Sequence, residues 1–323
     1  MTCFNRPVLH AALTLVVAVQ SLAAQGPGFA PTAVLPVQDA YPHVSRQGMV
    51  VFQSNRVGGS KLFVARLDGS GLRQLTSGPG EDVTPVWSPD GSQVVFASAR
   101  DGNEDVWIVQ ADGTGLRNLT NHPGSDSHPS WSPDGRMIVF CSTRGDGEND
   151  DIYTIRVDGS DLRRLTDNGL YWDTFPSFSP DGRKILFRRL LRTRSTEGTL
   201  VNSEVMVMNS DGTGVVNLTR DAWFDGWPSW SPDGRRIAFS SNRSDPYQIY
   251  VMNADGSGVT QVVNSPYTDV RPQWLPDGQG LIFNREHDGR IEMLQVRLPE
   301  TEPLAASRPS ADGPAAVPPL RRS

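Results

Sequence analysis

Thirteen residues, His128–Phe140 (His-Pro-Ser-Trp-Ser-Pro-Asp-Gly-Arg-Met-Ile-Val-Phe), are the unit from which most of this chain is copied. The same wording returns at Pro85–Phe96, Pro176–Phe187, Pro228–Phe239 and Pro272–Phe283, and a worn copy occupies Pro42–Phe52. The marker prolines stand 43, 44, 47, 52 and 44 residues apart. A period of roughly 40–45 residues with strand-like content is the signature of small sheets arrayed around an axis. A length of 323 residues would otherwise suggest two domains. The repeat overrides that prior, because one closed array uses most of the chain.

Each period carries four strand signals. The first is the Pro-x-Trp segment, which ends in Ser-Pro-Asp-Gly; proline presets a tight turn and glycine takes the positive φ that closes it. The second is a continuous apolar run such as Val94-Val95-Phe96, and continuity rather than alternation means that both faces are covered. The third, such as Ile249–Met252, closes on Asp-Gly, a hairpin signal in which both central residues are expected to be left-handed. The fourth, Leu-x-x-Leu-Thr, is polar, as an outer edge should be. The expected fold is all-β: a six-bladed β-propeller of four-stranded antiparallel blades. Six copies of the first three strands are followed by only five of the fourth. Phe29–Leu35 lies just before Asp39, as each fourth strand lies before its own Asp. This N-terminal segment is therefore expected to pair with the sixth blade and close the ring.

The ends read differently. Met1–Ala24 carries Arg6, no acidic residue, an apolar run from Val8 to Val19 and small residues at Ser21, Ala23 and Ala24. That is the pattern of a cleaved secretory signal peptide, so residues 25–299 are the expected propeller of a periplasmic or extracellular protein. Residues 300–323 form a Pro- and Ala-rich tail expected to be disordered. With Cys3 in the leader, Cys141 is alone and reads as a packed core thiol. A net charge of -6 and a pI of about 5.4 lack the basic footprint of a nucleic-acid binder.

Alternating strand direction sorts the loops by face. The tight turns share one rim; the fourth-to-first and second-to-third connections share the other, which carries the variation. An Asp stands three residues before each marker proline on that rim: Asp39, Asp82, Asp126, Asp173, Asp225 and Asp269. One use of such a ring is a divalent cation or a positively charged peptide end. The other is capping of backbone N–H groups where the chain turns inward, and presence in every blade favours this structural use. Arg56, Arg100, Arg144 and Arg243, each four residues past the phenylalanine of a second strand, are expected to pair within their own blades.

Features that break the symmetry are the stronger candidates for binding. An enlarged loop, Arg188 to Ser203, carries Arg188, Arg189, Arg192 and Arg194, and neighbouring connections carry Tyr171, Trp172, Trp223, Phe224 and Trp227. Aromatics beside arginines are the composition of binding hot spots. His43 and His128 belong to the same rim but to different registers, so no shared metal geometry follows. The acidic run Asp146–Asp151 lacks the spacing of a calcium loop. No Gly-x-Ser-x-Gly or His-Glu-x-x-His motif occurs, which argues against an enzyme.

Pro228–Ser240 (Pro-Ser-Trp-Ser-Pro-Asp-Gly-Arg-Arg-Ile-Ala-Phe-Ser) and Ile249–Gly256 resemble the WD40-like repeat of the TolB family, and the likeness extends over about residues 39–298. The resemblance implies a six-bladed periplasmic propeller that binds a peptidoglycan-associated lipoprotein through the channel mouth. TolB proteins carry an α/β domain before the propeller, so this chain resembles a stand-alone, monomeric version without it. A carbohydrate-active or metal-dependent propeller enzyme, using the same mouth, is the alternative.

Overall fold

The computed structural model describes residues 32–35, 39–145, 149–167, 169, 171–195 and 198–299, without the side chains of 32–35 and 192–201. The leader, Phe29–Pro31 and the C-terminal tail lie outside the described residues. Within them the chain forms six four-stranded antiparallel sheets. Blade 1 runs outward through Asp39–Val44, Met49–Ser54, Lys61–Arg66 and Arg73–Gln74, and blades 2 to 5 repeat that order. In blade 6, Thr268–Trp274, Gly280–His287 and Arg290–Arg297 are completed by Thr32–Leu35. Thr32 pairs with Gln295 and Ala33 with Leu294, so the N-terminal strand closes the ring. The fourth strands of blades 1 to 5 are only two residues long, and short outer edges resist pairing with other chains.

The turns follow from composition. In Ser88–Gly91 the Gly91 N–H donates to the Ser88 carbonyl at 2.9 Å, with Gly91 at φ 74°. The Asp90 carboxylate accepts from the Ser88 hydroxyl at 2.6 Å and the Ser92 N–H at 3.0 Å. The Asp-Gly turns that close the third strands differ from the sequence expectation. Gly69 N–H donates to the Arg66 carbonyl and Gly69 has φ 83°, but Asp68 is not left-handed. One left-handed glycine after a hydrogen-bonded turn is the three-residue hairpin pattern, not the two-residue one.

Each second strand buries its phenylalanine completely: Phe52, Phe96, Phe140, Phe187, Phe239 and Phe283. The core is not a single cluster around the axis. It divides into six, one between each pair of adjacent blades; Phe52, Phe63 and Val50 of blade 1, for example, pack on Leu275, Ile282 and Met293 of blade 6. A blade has both faces covered, which is why its central strands read as unbroken apolar runs.

Blade 4 corrects a further expectation. Arg188 to Ser203 is not a loop: Lys184–Ser195 pairs with Gly198–Asn209 in continuous register from Lys184↔Asn209 to Ser195↔Gly198. Ladder hydrogen bonds need no apolar side chains, so a charge-rich segment without a turn dipeptide hid an extended hairpin.

Candidate functional site at the channel mouth

All six ring carboxylates are fully buried, and each meets an arginine of its own blade. Asp39 pairs with Arg56 at 2.7 Å, Asp82 with Arg100 at 2.7 Å, Asp126 with Arg144 at 2.5 Å and Asp225 with Arg243 at 2.8 Å. In those blades the arginine Nε also donates to a serine, such as Ser98 at 3.0 Å. Blades 4 and 6 have longer hairpins, so the position four residues past the phenylalanine is still within the strand. There the serine is replaced by Arg189 or Arg285, each reaching its Asp directly at 2.7 Å. Every one of these guanidinium groups lies over an aromatic ring, as Arg144 does over Phe140 and Tyr153. Burial lifts the Asp39, Asp225 and Asp269 carboxyls above their ordinary range, Asp225 to about 6, against the pull of their arginines. These groups fasten the second strand of a blade to its first. Among the described residues no cluster of three or more metal-ligating side chains occurs.

The residue before each marker proline is left-handed in every blade: Tyr41, Thr84, His128, Phe175, Trp227 and Arg271, with φ between 50° and 58°. The pairing register of the inner strand shifts at this point in all six blades, as between Val83 and Val86. Proline, which lacks an N–H, is tolerated at such a bulge. Left-handed backbone is uncommon for non-glycine residues and strained for a β-branched one such as Thr84. Six repeats of one strained bulge therefore carry six different side chains around the axis. All six line a cavity of about 710 Å³ that continues to Pro89, Pro133, Pro180, Pro232 and Pro276 at the opposite rim. Tyr41 and Phe175, from opposite blades, stack with centroids 6.4 Å apart. Of these six, the sequence marks His128 and Trp227 as candidates, but not Tyr41, Thr84, Phe175 or Arg271. The available signal was variation at a fixed offset from an unvarying proline.

One side of the mouth is aromatic and cationic. Phe224, Trp227 and Tyr247 form a triangle with centroids 5.7 to 6.1 Å apart. Arg188 lies over Phe175, Phe224 and Trp227 at 4.8, 5.7 and 5.6 Å, and Arg271 over Tyr41 and Trp227. Trp223, the chain neighbour of Phe224, is 47% exposed. Tyr171 stacks on Arg189 at 5.2 Å, and Trp172 sits half-buried in the same strand. The side chains of Arg192 and Arg194 lie outside the described residues.

His43 and His128 are held neutral. Burial lowers His43 to about 4, and its Nδ1 accepts the Trp87 N–H at 3.2 Å. Burial, then Arg188 and Arg271, lowers His128 to about 3. Burial pushes the Cys141 thiol well above its usual value, leaving a protonated sulfur that is a poor nucleophile. Burial also raises the Asp150 carboxyl to about 6, helped by Glu104 and opposed by Arg188. A carboxyl whose folded value exceeds the ordinary 3.8 favours the folded state fully below about pH 4 and loses that contribution as pH rises through 6. Asp150→Asn is therefore expected to stabilise the protein at pH 8 by about 1–2 kcal/mol, partial exposure discounted, and not at pH 4. Paired melting curves at the two pH values check this; equal shifts at both contradict it.

A family model described as the TolB beta propeller domain matches residues 41–190 and 176–319. No curated protein matches the sequence. Among solved structures, a protein assigned as TolB from Agrobacterium tumefaciens is 24% identical, covering 82% of this chain and 91% of its own, with a TM-score of 0.61. TolB from Acinetobacter baumannii is 22% identical over 75% of this chain, at a TM-score of 0.62, and the match spans 59% of that longer protein. An oligogalacturonate lyase from Vibrio parahaemolyticus is 13% identical over 87% of this chain and 97% of its own, with a TM-score of 0.58. At these identities the likeness is one of fold, shared by proteins with different activities.

Proposed function

The chain belongs to the TolB β-propeller domain family, and from that premise we propose that it is an exported, non-catalytic, monomeric module that binds a protein or peptide partner at its aromatic channel mouth. The observation that carries this reading is the Phe224–Trp227–Tyr247 triangle under Arg188, with the exposed Trp223 next to Phe224 in the chain. Large rings with arginines at a partly desolvated site are the composition of interface hot spots. The six carboxylates suited to catalysis or metal binding are instead occupied by arginines within the blades. The leader-like N-terminus supports a site of action in the periplasm or outside the cell. No helix among the described residues is long and apolar enough to cross a membrane. By family resemblance the partner is a protein of the peptidoglycan-associated lipoprotein kind. The test is capture of proteins from envelope extract by the immobilised chain and by a Trp172→Ala, Trp223→Ala, Trp227→Ala variant. Loss of a specific captured protein is the expected result; unchanged capture counts against the mouth as the binding face.

A further inference from the structure

In blades 1, 5 and 6 the residue that follows the core phenylalanine accepts a backbone N–H from the next blade. Gln53 accepts the N–H of left-handed Thr84 at 3.0 Å, Ser240 that of Arg271 at 3.0 Å and Asn284 that of Tyr41 at 3.2 Å. Blade 3 has Cys141 at this position and blade 2 the small Ala97. Blade 4 has Arg188, whose guanidinium carries donors only and cannot do this for Trp227. The departure is matched across the seam. Where other blades have Ala40, Val83, Ser127, Thr174 or Val270, blade 5 has Gly226, and a Cβ there would stand 3.0 Å from Arg188 Cδ. Two breaks in the repeat thus meet at one place, and the second makes room for the first.

Arg188 also differs from its neighbours in charge balance. Arg189 donates twice to Asp173, at 2.7 and 2.8 Å, and Arg271 pairs with Glu286 at 2.6 Å. Arg188 Nε donates to the Thr174 hydroxyl at 3.0 Å; the group forms no ion pair with any described residue, and the Asp150 carboxyl acts on it only from beyond ion-pair distance. Its side chain is half-buried and keeps some contact with solvent. Stacking engages the faces of a guanidinium and leaves its in-plane N–H groups as donors, in a fork that fits a carboxylate. At a partly desolvated site such a pair is less screened than in water.

We propose that Arg188 receives a carboxylate of the bound polypeptide, while Phe175, Phe224 and Trp227 hold the apolar side chain next to it. The assignment rests on the polypeptide-binding reading above and adds the chemistry of the group recognised. It is tested by selecting two bead-bound heptapeptide libraries with the full chain, one with free C-termini and one amidated. Enriched peptides are expected to place a carboxylate beside an apolar residue, and the amidated library tells whether an acidic side chain or the chain end supplies it. Affinity for those peptides should fall at least about thirtyfold in Arg188→Gln. Arg188→Lys, which keeps the charge but loses the fork, should lose about tenfold. Enrichment of amidated peptides without acidic residues, bound equally by the wild type and Arg188→Gln, overturns the assignment and leaves the polypeptide reading standing. Failure to enrich any peptide overturns both. Oligogalacturonate binding more tightly than every peptide also overturns the assignment, in favour of an acidic sugar.

Discussion

Arg144→Met is expected to destabilise the protein by about 3–5 kcal/mol, because it leaves a buried carboxylate without its partner. Asp126 is fully buried, and Arg144 supplies its charge-assisted hydrogen bond at 2.5 Å while also donating to Ser142 at 3.0 Å. Methionine keeps much of the packing over Phe140 and Tyr153 that the guanidinium provides, so the loss reports on charge. Adding Asp126→Asn to that variant should restore part of the stability. Replacing both partners by apolar residues should be close to neutral, since a buried ion pair gains little over a well-packed hydrophobic one. Urea denaturation of the single and double variants measures this. A single-variant loss below about 1 kcal/mol, the range of an exposed ion pair, would mean that Asp126 is not sealed in its blade.

Phe52→Ala is expected to cost a similar amount, about 3–5 kcal/mol. Phe52 is fully buried where blade 1 packs on Leu275, Ile282 and Met293 of blade 6, the seam that the N-terminal strand closes. Lost transfer energy and the cavity left behind both contribute. Because the core is divided among six interfaces, the damage should be local. Hydrogen exchange is expected to rise first in Met49–Ser54 and Gly280–His287, with blades 3 and 4 protected as before. A uniform rise around the ring would instead mean that the interfaces do not act separately.

The architecture was legible because each blade repeats one phrase, and each word of it has a local physical cause. Proline and glycine set the turn, an unbroken apolar run marks a strand covered on both faces, and the count of fourth strands pointed to Phe29–Leu35, within which Thr32–Leu35 forms the closing strand. The arginines four residues past the phenylalanine were legible as partners within a blade. Arg189 and Arg285 were not, because hairpin length decides which position faces the Asp, and length is not encoded in a short motif. The capping role expected for the Asp ring gave way to ion pairs and serine hydroxyls for the same reason: a guanidinium 17 or 18 positions away is invisible to local reading. The left-handed ring was hidden too, since its six side chains share a backbone conformation and no chemistry. Arg188 stood out only as one basic residue among several. Its distinction, the lack of an ion pair among the described residues and the glycine facing it, exists only once blades 4 and 5 are packed together.

The central claim is that the partner sits on the mouth and not on the rim of tight turns. A photo-activated cross-linking residue placed at Trp223, and separately at Asp134 in the opposite turn rim, tests it in the envelope capture described above. An adduct formed from position 223 and none from position 134 is the predicted result. Adducts from position 134, with none from position 223, would contradict it.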